Sequence, residues 1–198
     1  MVKYNNWNET LKNRYSLIYH KLLSHKEIDI SVIQYAYLDI IRRYPSENLS
    51  RQRISEFLGV TKKTVTNISN KMIKKGFIGI NQEKCKVLTD KFLNYYEDEE
   101  QRGKSFTKLE FSEAEKLGIT PEEFCILDSI YYFIRKKRKR SKFKLAEVIN
   151  QNERNIYNIL THLEAKGYII RKLKKIYPVP TIMVLFIRLR EPAIKGSF

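Results

Sequence analysis

Between Thr61 and Asn70 the chain reads TKKTVTNISN. Val65, Ile68 and Met72 fall on one side at helical spacing, which leaves Thr61, Lys62, Lys63, Thr66, Asn67 and Asn70 on the other. These residue types share one chemistry. An Asn amide pairs bidentately with adenine, a Lys ammonium donates to guanine, and Thr meets a thymine methyl. Lys62 and Lys63, at the helix start, suit phosphates better than base edges. Any surface helix has a polar face, however, so the set has meaning only with the elements that hold it.

Those elements are two short helices around a break. Ile54, Phe57, Leu58, Val65, Ile68, Met72 and Ile73 form one apolar face, interrupted at Gly59. Gly59 can take a positive φ without steric cost, Val60 fills the gap, and Thr61 is placed to N-cap the second helix. Gly76 is placed to end it. Phe77–Ile80 then reads as a strand and Cys85–Leu88 as its hairpin partner, with Lys84 and Lys86 as candidate phosphate clamps. A helix-turn-helix followed by a hairpin, with the strings GVTKKTV and KKGFI, resembles a winged-helix DNA-binding domain. The resemblance implies that the second helix lies in a major groove.

A shift of 91 positions carries Gly76 onto Gly167 and finds the unit again, as LAEVINQNERNIYNILTHLEAKGYII from Leu145 to Ile170. Ile54, Leu58, Val65 and Ile68 map onto Leu145, Ile149, Ile156 and Ile159, and Asn150 replaces Gly59 as the next-best residue for a left-handed turn. Upstream, with a two-residue slip, residues 28–41 parallel residues 117–130. Each of these opens with a capping box, Ser31 with Gln34 and Thr120 with Glu123, and Pro121 sits at N1. Further back, Tyr15–Tyr19 parallels Phe106–Glu110, each a short strand or helix edge. A repeat this long is a duplicated domain.

The second copy offers Asn152, Arg154, Tyr157, Asn158 and Thr161 on its outer helix face, beside Glu153. Arg154 is the natural guanine reader. Its loop is far more basic than the first copy's Arg42, Arg43, Arg51 and Arg53: Arg135, Lys136, Lys137, Arg138, Lys139 and Arg140 follow one another, and Lys142 and Lys144 come next. Lys172, Lys174 and Lys175 belong to its wing. That wing is expected to pair Tyr168–Lys174 with the apolar stretch Thr181–Leu189. Each phosphate neutralised by such residues steepens the log–log salt dependence by about 0.9.

The whole chain, 198 residues with 42% hydrophobic residues, carries a net charge of +16. Residues 1–100 hold 17 basic and 12 acidic residues, and residues 101–198 hold 21 and 10. A basic excess around two helix-turn-helix units points to nucleic acid rather than to a membrane surface. No apolar run approaches the roughly 20 residues of a bilayer span. The start, MVKYNNWNETLKNRY, lacks a signal-peptide core, which places the chain in the cytoplasm, with the nucleoid. Cys85 and Cys125 fall on apolar positions and read as buried free thiols.

The expected organisation is two domains in a mainly α chain with small β-hairpin wings. Residues 1–96 hold a leading helix over 1–24, with Trp7, Leu11, Tyr15, Ile18, Tyr19 and Leu22 near helical spacing, and the first winged helix. That leading helix packs onto its domain or makes a dimer contact. Residues 97–105 read as an acidic linker after a helix begun at Thr89, and 106–198 as the second winged helix.

Catalytic signals are absent from the residue pattern. His20, His25 and His162 show no metal-ligand spacing, no Gly-rich phosphate loop occurs, and thirteen tyrosines in an aromatic-rich chain read as packing. No cofactor or metal is expected. The pattern points to sequence-specific binding of double-stranded DNA by a transcriptional regulator, a repressor of a mobile element or phage. One alternative is a plasmid or phage replication initiator on origin repeats, whose tandem winged-helix architecture the chain resembles. The other is a winged-helix interaction scaffold. A homodimer, or a replication or transcription partner, is compatible with all three.

Overall fold

The computed structural model describes residues 14–25, 27–44, 49–101, 106–135, 141–172 and 175–183. The chain divides into two compact units, Met1–Pro121 and Glu122–Phe198.

The first unit starts with a strand where the helical spacing of 1–24 predicts a helix. Strand β1 (Tyr15–Tyr19) pairs antiparallel with β4 (Phe106–Glu110), in the register Tyr15↔Glu110, Leu17↔Lys108 and Tyr19↔Phe106. Ser16 and Ile18 alternate inward, as a half-buried strand requires. The 91-residue shift carries Leu17 onto Lys108, so the two equivalent segments pair with each other about their own midpoints. Within the expected leading helix, residues 15–19 form this strand and His20–Leu23 form the short helix α1, while residues 1–13 lie outside the described residues. Trp7 and Leu11 lie outside the described residues.

Helix α2 (Val32–Arg43) begins with the expected capping box, Ser31 accepting from Gln34 N and Gln34 Oε1 accepting from Ser31 N. It is buried from Tyr35 to Ile41. Within it Asp39, almost fully buried, takes salt bridges from Arg42 at 3.1 Å and Arg43 at 2.7 Å. Arg43 also donates to the Tyr15 carbonyl, so these two arginines secure β1 and the core.

Next come α3 (Arg51–Leu58), α4 (Lys62–Lys74) and the hairpin of β2 (Ile78–Ile80) with β3 (Lys86–Leu88), whose register is Ile78↔Leu88. Helix α5 (Asp90–Gln101) follows. It seats Phe92 and Tyr96 in an aromatic cluster with Tyr19, Tyr35 and Phe77. Thr89, expected as its N-cap, donates its hydroxyl to the Gly76 carbonyl. The first unit closes with β4 and α6 (Phe111–Lys116), where Phe111 meets Phe57 edge-on at 5.5 Å. Expectation put the domain junction at residues 97–105. The compact units divide after residue 121, because β4 is hydrogen-bonded to β1 and α6 packs behind it.

The second unit contains α7 (Pro121–Arg135), α8 (Lys142–Ile149), α9 (Glu153–Ala165) and the hairpin of β5 (Ile169–Lys172) with β6 (Lys175–Pro178). Helices α8 and α9 start 91 residues after α3 and α4. One expectation is overturned here. Residues 181–183 do not return as a strand: β6 ends at Pro178, and residues 180–183 are helical, with Ile182 N and Met183 N donating to the Val179 carbonyl; residues 184–189 of the expected strand lie outside the described residues. Pro180 stands at the first helical residue, where its missing N–H costs nothing.

Candidate nucleic-acid interface

Both turns between helices are built alike. Gly59 closes α3 at φ 66°, and Asn150 closes α8 at φ 50°. The next backbone N–H then reaches back, Val60 N to Ser55 O at 3.1 Å and Gln151 N to Ala146 O at 3.0 Å. Thr61 and Asn152 cap the helices that follow, accepting from Thr64 N and Asn155 N. Each of those helices ends in the same paired bonds: Gly76 N to Ile73 O with Phe77 N to Met72 O, and Gly167 N to Glu164 O with Tyr168 N to Leu163 O. This is the Schellman arrangement, with glycine in the left-handed position. Entry and exit of both candidate reading helices are therefore fixed by local hydrogen bonds.

Helix α4 buries Val65, Ile68, Ser69 and Met72. Lys62, Lys63, Asn67 and Asn70 are exposed, and Lys63, Thr66, Asn67 and Asn70 follow i, i+3, i+4, i+7 along one stripe. Thr66 is half-buried, and its hydroxyl donates to the Lys62 carbonyl at 3.0 Å. The first turn holds two lysines and no acid. Cations there oppose the helix dipole, so the arrangement costs helix stability while building a positive end suited to an anion. Ile73, expected on the apolar face, is 41% exposed. The inward stripe is completed by Ser69.

The wing lysines differ from each other. Lys84 is exposed at the turn, at φ 59°. Lys86 is half-buried, and its ammonium donates to the hydroxyl of the fully buried Tyr37 at 3.3 Å. That contact turns Lys86 inward, away from the clamp position expected of it. Arg42 and Arg43 are likewise engaged in the core, whereas Arg51 and Arg53 at the start of α3 are exposed.

Helix α9 buries Ile156, Leu160 and Leu163. Leu160 takes the core place expected of Ile159, which is half-buried. Arg154, Tyr157, Asn158 and Thr161 are exposed, as is the cap residue Asn152. Part of this face is occupied by the protein itself. Arg171 of β5 donates to Glu164 at 2.6 Å and to the Thr161 hydroxyl at 3.4 Å. The guanidinium holds the Glu164 carboxyl below the usual carboxylate range. The Tyr157 ring has Lys142 Nζ at 4.7 Å and Arg171 Cζ at 5.5 Å. His162, expected at phosphate or solvent, bonds through Nδ1 to the buried Glu123 carboxylate of α7.

Arg135 is exposed at the end of α7. Lys136, Lys137, Arg138, Lys139, Arg140 and Lys174 lie outside the described residues. Lys172 and Lys175 face each other in the β5–β6 register. One more pattern recurs at the helix starts. Ser50-Arg51-Gln52-Arg53 and Ser141-Lys142-Phe143-Lys144 both place a capping serine before two exposed cations, at the start of α3 and of α8.

Among the described residues no group of His, Cys, Asp and Glu could hold a metal ion, and no helix is long and apolar enough to cross a membrane.

Residues 30–79, from the residue before Ser31 to the middle of β2, hold the three helices and the first wing strand of a winged helix-turn-helix, whose hairpin β3 completes. The same residues match the model of the MarR family. No curated protein and no solved structure matches the chain significantly.

Proposed function

We propose that the chain binds double-stranded DNA sequence-specifically and acts as a transcriptional regulator, a repressor by occupancy, of a mobile element or phage. In this reading the two units are tandem winged helices. Helix α4 enters one major groove and reads bases with Asn67 and Asn70, while Lys62, Lys63, Lys84, Arg51 and Arg53 bind phosphates. Helix α9 enters a second groove through Arg154 and Asn158. The single observation that carries the reading is the stripe of exposed Lys63, Asn67 and Asn70 on a helix locked at both ends, inside the segment that matches a family of regulators. The protein acts by binding, with no catalytic step. Linking two readers raises the effective concentration of the second once the first is bound.

The recurrence of element starts at 91 residues also favours a second reading, a replication initiator on repeated origin sites. Selection of bound duplexes from a random library separates them. One inverted site favours the regulator, direct repeats favour the initiator, and failure to enrich any motif refutes both.

A further inference from the structure

At three matching positions the second unit exposes large apolar side chains where the first does not. Phe143 is 60% exposed, Tyr157 49% and Ile170 43%. The 91-residue shift places Gln52, Thr66 and Gly79 at the matching positions of the first unit. Three polar or small positions have thus become aromatic or apolar without becoming buried. Tyr177, also exposed, stands opposite Ile170 across the hairpin. What lies beside Phe143 and Tyr157 is cationic. Lys142, Lys144 and Arg154 are exposed, and Lys142 and Arg171 lie against the Tyr157 ring. Residues 122–198 carry 17 Lys and Arg against 7 Asp and Glu, and of the seven, Glu123 and Asp128 are buried.

Duplex DNA hides its base faces within the stack. A single strand exposes them, and a positive surface set with aromatic rings is how proteins hold one without regard to sequence. We propose that this face of the second unit, centred on Phe143 and Tyr157, binds single-stranded nucleic acid. One base stacks on Phe143. Another takes the place of the Lys142 ammonium on Tyr157, and the displaced ammonium moves to a phosphate. Lys144 and Arg154 continue the phosphate track. This activity goes beyond duplex recognition and does not depend on the base contacts of α4.

The test is fluorescence anisotropy of the full chain with an oligothymidylate of roughly 20 nucleotides, longer than the site sizes typical of single-strand binders. A random duplex of equal length is measured beside it. Phe143→Ala and Tyr157→Ala should each weaken oligothymidylate binding about tenfold, with Tyr157→Phe close to wild type and, for Phe143→Ala, which lies off helix α9, duplex affinity within about twofold of the parent. Thermal melts of the variants establish that they fold; both side chains are exposed, so the melts should match the parent. The proposal is overturned if oligothymidylate binds no more tightly than the random duplex, if the alanine variants leave its binding unchanged, or if Phe143→Ala weakens both nucleic acids equally. It is also overturned if the substitutions alter self-association in sedimentation and not single-strand affinity, which would make the face a protein contact. Retained duplex binding without single-strand binding refutes this inference alone; loss of both refutes the duplex reading as well.

Discussion

Replacing Lys63 and Lys86 separately by glutamine asks whether the structure distinguishes cations that meet phosphate from cations that hold the fold. Lys63 is exposed in the first turn of α4, at the positive end of the helix. Lys86 reaches inward to Tyr37 at 3.3 Å. If Lys63 neutralises one phosphate, Lys63→Gln lowers the log–log salt slope by about 0.9. Between 50 and 200 mM salt the parent should then lose about 3.5-fold more affinity than the variant. Lys86→Gln should leave the slope unchanged and lower stability by about 1–2 kcal/mol, because a buried hydroxyl loses a charged hydrogen-bond partner. The assay is anisotropy of a selected duplex over a salt series, with denaturant unfolding of both variants. A slope that falls equally for both, or falls only for Lys86→Gln, refutes the assignment.

Other predictions concern the turns, the thiols and acid. Gly59→Ala should cost about 1–2 kcal/mol in denaturant melts, the penalty of a left-handed Cβ. The new Cβ would stand 2.7 Å from Glu115 Oε1, but that is a movable side-chain end. Asn150→Gly should be neutral within about 0.5 kcal/mol, since glycine suits the same conformation. Burial pushes the Cys125 thiol well above its ordinary range. Its alkylation should therefore follow global unfolding, as mass spectrometry of labelled peptides would show; labelling of the native protein at the rate of a free thiol would contradict this. The Lys75 ammonium, bonded at 3.0 Å, holds the Asp29 carboxyl below its ordinary 3.8. A lowered folded-state value means the pair stabilises above pH 3.8 and its contribution fades as pH falls below that. Asp29 is exposed and Lys75 half-buried, so solvent screens the pair and Asp29→Asn should lower the melting temperature near neutrality by an amount worth only about 0.5 kcal/mol. The two curves should converge in acid.

What the residues reveal in advance is local. Ser31 with Gln34, Thr61, Gly59 and Asn150 each act within four residues of themselves, and each stands in the conformation its type suggests. The candidate stripe on α4 was legible for the same reason: period and side-chain chemistry suffice to put Asn67 and Asn70 outside. Long-range partners were not legible. Tyr15, Ile18, Tyr19 and Leu22 fit a helical period, and only pairing with residues 106–110 makes the segment a strand. Thr181–Met183 is apolar enough for either element, and the deciding signal was Pro180 just before it. Lys86 looks like Lys84 in sequence; Tyr37, 49 residues away, sets it apart. Tyr157 reads as a base contact until Lys142 and Arg171 are found beside its ring.

The central claim is that the outer stripe of α4 reads bases. The most direct measurement is parallel selection from a random duplex library with the full chain and with Asn67→Ala. The account predicts a defined motif for the parent and, for the variant, the same motif with preference relaxed at a single base pair, at a cost of about 1–3 kcal/mol there. An identical motif with undiminished preference, or no motif from the parent, would contradict it.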